Sequence, residues 1–89
     1  VINNLMITND LKADDVKIYP NPSEGDLNIE SNSSHTWLEI LIYSITGKEI
    51  SSFYLEANNR IKIKLKKGIY ILKLKNQNRQ IISKKIIIE

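Results

Sequence analysis

From Val16 onward, apolar and polar residues alternate almost to the last position. That is the signature of half-buried β-strands, in which successive side chains point to opposite faces. The pattern is cleanest in Arg60-Ile61-Lys62-Ile63-Lys64-Leu65, with cations on one side and aliphatics on the other. The same reading predicts strands at Val16–Tyr19, Leu27–Glu30, Thr36–Ile45, Glu49–Leu55, Ile69–Lys75 and Gln80–Glu89. Thr36–Ile45 is apolar on both sides, with Leu38, Ile40 and Ile42 on one and Trp37, Leu41, Tyr43 and Ile45 on the other. Two-sided apolarity marks a central strand, or one that a partner also covers. In Glu49–Leu55 the apolar anchors Ile50 and Phe53 are out of phase, so a bulge near Ser51-Ser52 is expected to bring them to the same side. About seven closely spaced strands without a convincing helix predict an all-β sandwich.

The connections carry the usual chemistry of turns. Tyr19-Pro20-Asn21-Pro22-Ser23-Glu24-Gly25-Asp26 joins the first two strands. Neither proline can donate to a ladder, and both restrict the residue before them, while Gly25 supplies the freedom in φ that a tight reversal needs. Thr46-Gly47-Lys48, Asn58-Asn59, Lys66-Lys67-Gly68 and Asn76–Arg79 punctuate the later strands, and Ser31–His35 is a polar loop. Gly68-Ile69-Tyr70 combines an abrupt reversal with a large ring, and a buried tyrosine of this kind is expected to pair its hydroxyl, often with backbone. Residues 1–15 lack the alternation and read as a partly docked linker from an upstream domain, with the folded domain at 16–89. The chain opens on Val1 rather than Met, as expected of a piece cut from a longer protein.

Composition narrows the chemistry. There is no cysteine, which removes disulfides, thiolate nucleophiles and zinc-thiolate sites. The longest apolar runs, such as Ile40–Tyr43 and Ile69–Leu72, fall far short of the ~20 residues of a membrane-spanning helix. His35, the single histidine, stands in a polar loop, and no nucleophile is set on a sharp turn beside a base, so no catalytic residues are assigned. Asp14, Asp15, Glu24 and Asp26 flank the first strand and are candidates to gather round a calcium ion, but their spacing matches no calcium loop, and no cofactor is assigned. Charge is uneven: residues 1–45 hold two lysines against seven acids, residues 46–89 eleven cations against three. The lysines alternate along strands without interleaved aromatics, which describes a solvated face that discourages edge pairing rather than a nucleic-acid platform. Asn32-Ser33-Ser34 fits a glycosylation sequon.

Three stretches in register resemble one family. They are Val16-Lys17-Ile18-Tyr19-Pro20-Asn21-Pro22 with Gly25, Ile42-Tyr43-Ser44-Ile45-Thr46-Gly47-Lys48-Glu49-Ile50, and Gly68-Ile69-Tyr70-Ile71-Leu72 with the ending Lys84-Lys85-Ile86-Ile87-Ile88-Glu89. In order and spacing they are similar to the type A C-terminal sorting domain of the type IX secretion system of the Bacteroidetes. Ser44 stands where that family often has an acid. The resemblance implies an immunoglobulin-like sandwich of about seven antiparallel strands, not itself catalytic, at the end of a secreted or surface cargo protein. It further implies recognition by translocon and shuttle proteins after passage through the periplasm. Removal by a sortase-like surface peptidase would follow, with the cut in Val1–Asp15. The terminal strand and its neighbours are the expected contact, by strand addition or through side chains. A second reading is a β-sandwich accessory module that binds carbohydrate or a surface partner.

Overall fold

The computed structural model describes residues 11–32 and 37–89. Among these residues a 3-10 turn, Ala13–Asp15, precedes seven strands: β1 Val16–Tyr19, β2 Asp26–Ser31, β3 Trp37–Ser44, β4 Glu49–Glu56, β5 Arg60–Lys64, β6 Gly68–Lys75 and β7 Ile81–Ile88. They form two antiparallel sheets, one ordered β1-β2-β5 and the other β4-β3-β6-β7. This is a sandwich of the immunoglobulin-like type in which the fourth strand pairs with the third instead of completing the first sheet.

The alternation in sequence becomes alternation in burial. Leu27 and Ile29 of β2, Leu38 and Ile40 of β3, Leu72 and Leu74 of β6 and Ile86 of β7 are wholly buried between the sheets. Each such side chain contributes about 1.5–3 kcal/mol relative to exposure. Ile61 and Ile63 pack against this core from the edge strand β5. As its two apolar sides imply, β3 is internal, lying between β4 and β6.

Two expectations need correction. The irregularity in the β3–β4 ladder lies at Ile50, because Ile42 opposes Ser51 while Tyr43 opposes Glu49. Ser51 and Ser52 stay in the ladder, so Phe53 and Leu55 already fall on the inner side, and Ile50 is left exposed rather than joining Phe53. Ile45 is likewise not part of a covered face: it leaves β3 at the following turn and is exposed. Thr36 and His35 lie outside the described residues.

The stretch ahead of β1 is tied to the sandwich. Leu11 is buried in the core, and its N–H donates to Gln80 Oε1 at 3.0 Å. The N–H of Lys12 donates to Asp15 Oδ2 at 2.8 Å and closes the 3-10 turn. Among the described residues no helix is long and apolar enough to cross a membrane.

Candidate functional site

The loop after β1 turns back over the far edge of β7. Tyr19–Pro20 and Asn21–Pro22 are both cis. Asn21 is exposed, yet its amide is engaged at both ends: Nδ2 donates to the Lys85 carbonyl at 3.0 Å, and Oδ1 accepts the Ile87 N–H at 3.2 Å. One side chain thus satisfies a donor and an acceptor of the strand, as a neighbouring strand would. Ser23 continues the contact with its backbone, donating to the Ile87 carbonyl at 2.9 Å and accepting from Glu89 N–H at 2.7 Å. The second half of β7 therefore lies between β6 and this loop and is not an open edge, the position at which chains otherwise invite non-native pairing.

The loop is braced from beneath. Ser23 is buried, its hydroxyl donates to the Asp26 carbonyl, and it accepts the Gly25 N–H at 3.1 Å. Gly25 sits at φ +136, a conformation that an L side chain rarely adopts, and its carbonyl accepts Leu65 N–H at 3.0 Å. The Tyr19 hydroxyl donates to Glu30 Oε1 at 2.9 Å on the outer side of the β1-β2-β5 sheet. The Tyr19 hydroxyl, and more weakly Glu30, hold the Arg60 guanidinium more firmly in its charged form.

The other motif residues arrive at the same pole. Gly68 opposes Ile88 and Tyr70 opposes Ile86 in the β6–β7 ladder. Tyr70 is buried, and its hydroxyl donates to the Lys66 carbonyl at 2.6 Å, the backbone pairing expected of it. The Gly47-Lys48 turn closes with Ser44 N–H donating to Lys48 O at 2.8 Å, and Ile45 N–H donating to Ile69 O fixes it beside β6. Three stretches separated in sequence thus meet at one end of the sandwich. Lys84 and Lys85 stand further along β7 and differ: Lys85 is exposed, whereas Lys84 turns to the gap between the sheets. Its Nζ donates to the carbonyls of Ala13 at 2.7 Å and Val16 at 3.0 Å. Burial lowers the Lys84 pKa below the ordinary lysine value, partly opposed by Asp14. Ile86 and Ile88 are core residues, Ile87 is half-buried on the outer face, and Glu89 is exposed.

The calcium candidates are not brought together. Asp14 and Asp15 precede β1, whereas Glu24 and Asp26 follow it at the opposite end. Among the described residues no cluster of His, Asp or Glu is placed to hold a metal ion. The lysines do not converge on one face either: Lys62 and Lys64 project outward from β5, and Lys73 and Lys75 from the other sheet. Ser23 and the carbonyls of Asp26, Leu65's partner Gly25 and Lys66 were not legible as site groups. The carbonyls act through backbone bonds that any residue type can make, and the Ser23 hydroxyl bonds only to backbone groups of its own turn.

The model of the secretion system C-terminal sorting domain family matches residues 17–89. The chain belongs to this family. No curated protein matches it. The sorting domain is the C-terminal signal for type IX secretion, which directs export towards the cell surface or beyond, and the accessory-module reading is not favoured. The family is known for sorting and not for catalysis.

The fastening of Asn21 to β7 has a measurable consequence. Asn21→Ala removes two hydrogen bonds to partly exposed backbone, so it should lower stability by about 1 kcal/mol. The Ile87 amide should then exchange with solvent more than fivefold faster, while amides at the middle of β3 change only with global stability. Hydrogen exchange followed by NMR checks both, and an unchanged Ile87 amide would show that the side chain adds nothing to the edge.

Proposed function

We propose that the pole where the three motif stretches meet is the surface by which the type IX translocon and its shuttle proteins read this sorting domain. The observation that carries the reading is the double hydrogen bond from Asn21 to β7. It makes the Tyr19-Pro20-Asn21-Pro22-Gly25 loop and the strand ending Ile86-Ile87-Ile88-Glu89 into one surface with a fixed shape. Within it, Tyr19, Pro20, Pro22, Gly47 and Lys48 present the loops, and Lys85, Ile87 and Glu89 present the strand. Gly25, Gly68, Tyr70, Ile86 and Ile88 hold that surface in place from inside, and Lys84 fixes β7 to the start of the domain. Shape and side chains are what a partner can use here, since the backbone of the last part of β7 is already paired.

The cargo, attached upstream, crosses the outer membrane of a Gram-negative bacterium from the periplasm and is then separated by a sortase-like surface peptidase. A peptidase needs its substrate extended in its cleft, and the described part of the linker is not free to extend. Leu11 is in the core, and the carbonyls of Ala13 and Val16 accept from Lys84. The cut therefore falls on the amino-terminal side of Leu11, and the cargo is released or anchored at the surface.

A reporter fused ahead of residues 1–89 and expressed in a type IX-competent host tests this. The expected product is extracellular or surface-bound reporter whose carboxy terminus, read by mass spectrometry, lies before Leu11. Reporter retained in the periplasm would overturn the recognition reading. Exported reporter that ends after Leu11, or that keeps the domain, would overturn the placement of the cut.

A further inference from the structure

The outer face of the β4-β3-β6-β7 sheet is apolar where a solvated sheet face is normally polar. Tyr54 is 67% exposed, Ile45 61%, Ile81 56% and Ile69 40%. Burial alternation and register place Tyr54, Ile81 and Ile69 on this side, and Ile45 follows β3 with its N–H bonded to the Ile69 carbonyl; with them are Leu41, Tyr43, Ile71 and the edge-to-face pair Trp37–Tyr54, whose centroids are 5.2 Å apart. Exposed apolar area gathered on one face marks an interaction surface.

The charges on this face identify its occupant. Its acids, Glu39, Glu49 and Glu56, belong to β3 and β4, and its lysines, Lys73, Lys75 and Lys85, to β6 and β7. One half is acidic and the other basic, with apolar residues in both halves. The ladder registers arrange them in rows across the sheet: Tyr54, Glu39, Lys75, Ile81 in one and Glu49, Tyr43, Ile71, Lys85 in another. A two-fold axis parallel to the strands, passing between β3 and β6, sets β4 of one copy over β7 of the other and β3 over β6. These two rows then meet their own complements, with Glu39 facing Lys75, Glu49 facing Lys85, Tyr43 facing Ile71 and Tyr54 facing Ile81, while the row between them sets the Lys73 side chain over Leu41. A two-fold across the strands would instead set acid on acid. Isologous contacts require this kind of self-complementarity.

The area is sufficient. Four strands spaced by about 4.8 Å and rising about 3.4 Å per residue make a face of roughly 19 by 27 Å. Two such faces bury on the order of 1,000–1,500 Å², which reaches the range of small specific dimers. Face-to-face sheets pack with strands offset by about 30°, an offset that long lysine side chains span.

We propose that the outer face of the β4-β3-β6-β7 sheet is a homodimer interface, in which a second copy of this chain docks face to face with its acidic half over the first copy's basic half. The interface lies on the sheet's broad face and meets the pole proposed to be read by the secretion machinery at Lys85 and Ile87; dimerisation is read in solution without that machinery, so either reading can fail without the other.

Sedimentation velocity on the 89-residue chain, from micromolar to near-millimolar concentration, tests it with two charge-reversed variants. One carries Lys75→Glu and Lys85→Glu; the other carries Glu39→Lys and Glu49→Lys. The wild type is expected to dimerise. Each variant alone should weaken dimerisation by about 100-fold or more, because like charges then face each other. An equimolar mixture should form a heterodimer, since a predominantly acidic face that keeps Lys73 meets a predominantly basic one that keeps Glu56. Circular dichroism confirms that each variant is folded, and the mixture itself reports on competence to associate. A wild type that remains monomeric at the highest concentration overturns the proposal. So does a dimer that survives both reversals, or a mixture that fails to associate.

Discussion

Removing Ile86–Glu89 from a cargo fusion abolishes export and leaves the cargo in the periplasm. Ile86 and Ile88 are both buried in the core. Losing them forfeits about 3–6 kcal/mol of burial, against roughly 4–13 kcal/mol of total stability for a chain of this length. The deletion also strips the Tyr19–Gly25 loop of all its β7 partners but the Lys85 carbonyl, because Asn21 and Ser23 bond to Ile87 and Glu89. The deletion thus removes the end of the strand and the support of the loop together. Recognition is separated from folding by a milder variant, Lys85→Ala with Glu89→Ala, which changes only exposed side chains and keeps every backbone bond. It is expected to melt within about 2–3 °C of the wild type and still to export less cargo. Fractionation with immunoblotting reads both variants. Normal export of the truncated fusion would show that the terminal strand is not required. Normal export of the milder variant would confine its role to folding.

The strands were legible because each buries one face, and burial of one face imposes a period of two. β1 occupies its expected residues, Val16–Tyr19, and β2 extends one residue beyond expectation at each end, where Asp26 and Ser31 find partners in Lys64 and Val16. The central place of β3 was legible in its two apolar sides. Pairing between distant strands was not: nothing in the composition of β2 and β5 announces that Ile29 sits opposite Ile61. The bulge was misplaced because Ile50 looked like a core residue, when Phe53 and Leu55 already filled that side of β4.

At the site, the prolines and Gly25 marked the turn, and the physics of the turn was correctly local. Its partner was not local. Asn21 bonds to backbone 64 residues away, and a carbonyl or N–H carries no residue-type signature. Lys84 is the instructive case, since it reads as a solvent lysine by type. By phase it belongs with Ile82, Ile86 and Ile88, the inward set of β7, and its ammonium group is turned to two carbonyls in the gap between the sheets. Phase was the better guide.

Leu72→Ala tests whether the signal is read as a folded domain or as a string of motifs. Leu72 is wholly buried at the centre of β6, opposite Ile42 on one side and Lys84 on the other, and although it closes the Gly68–Leu72 stretch its side chain is not among those proposed to be read. Truncating it leaves a cavity that costs about 2–5 kcal/mol, a large share of the roughly 4–13 kcal/mol available. The urea midpoint of the purified domain should fall accordingly with little change in slope. If the machinery reads the shape held by Asn21, Ser23 and Tyr70, export must follow the folded fraction. It should then be near normal at low growth temperature and fall steeply on warming, while a fusion with intact Leu72 is unaffected over the same range. A linear signal predicts the opposite, because every loop and terminal-strand residue remains in the sequence. Undiminished export at a temperature where the isolated variant is more than half unfolded would mean that the sandwich delivers its motifs without needing to hold them in place.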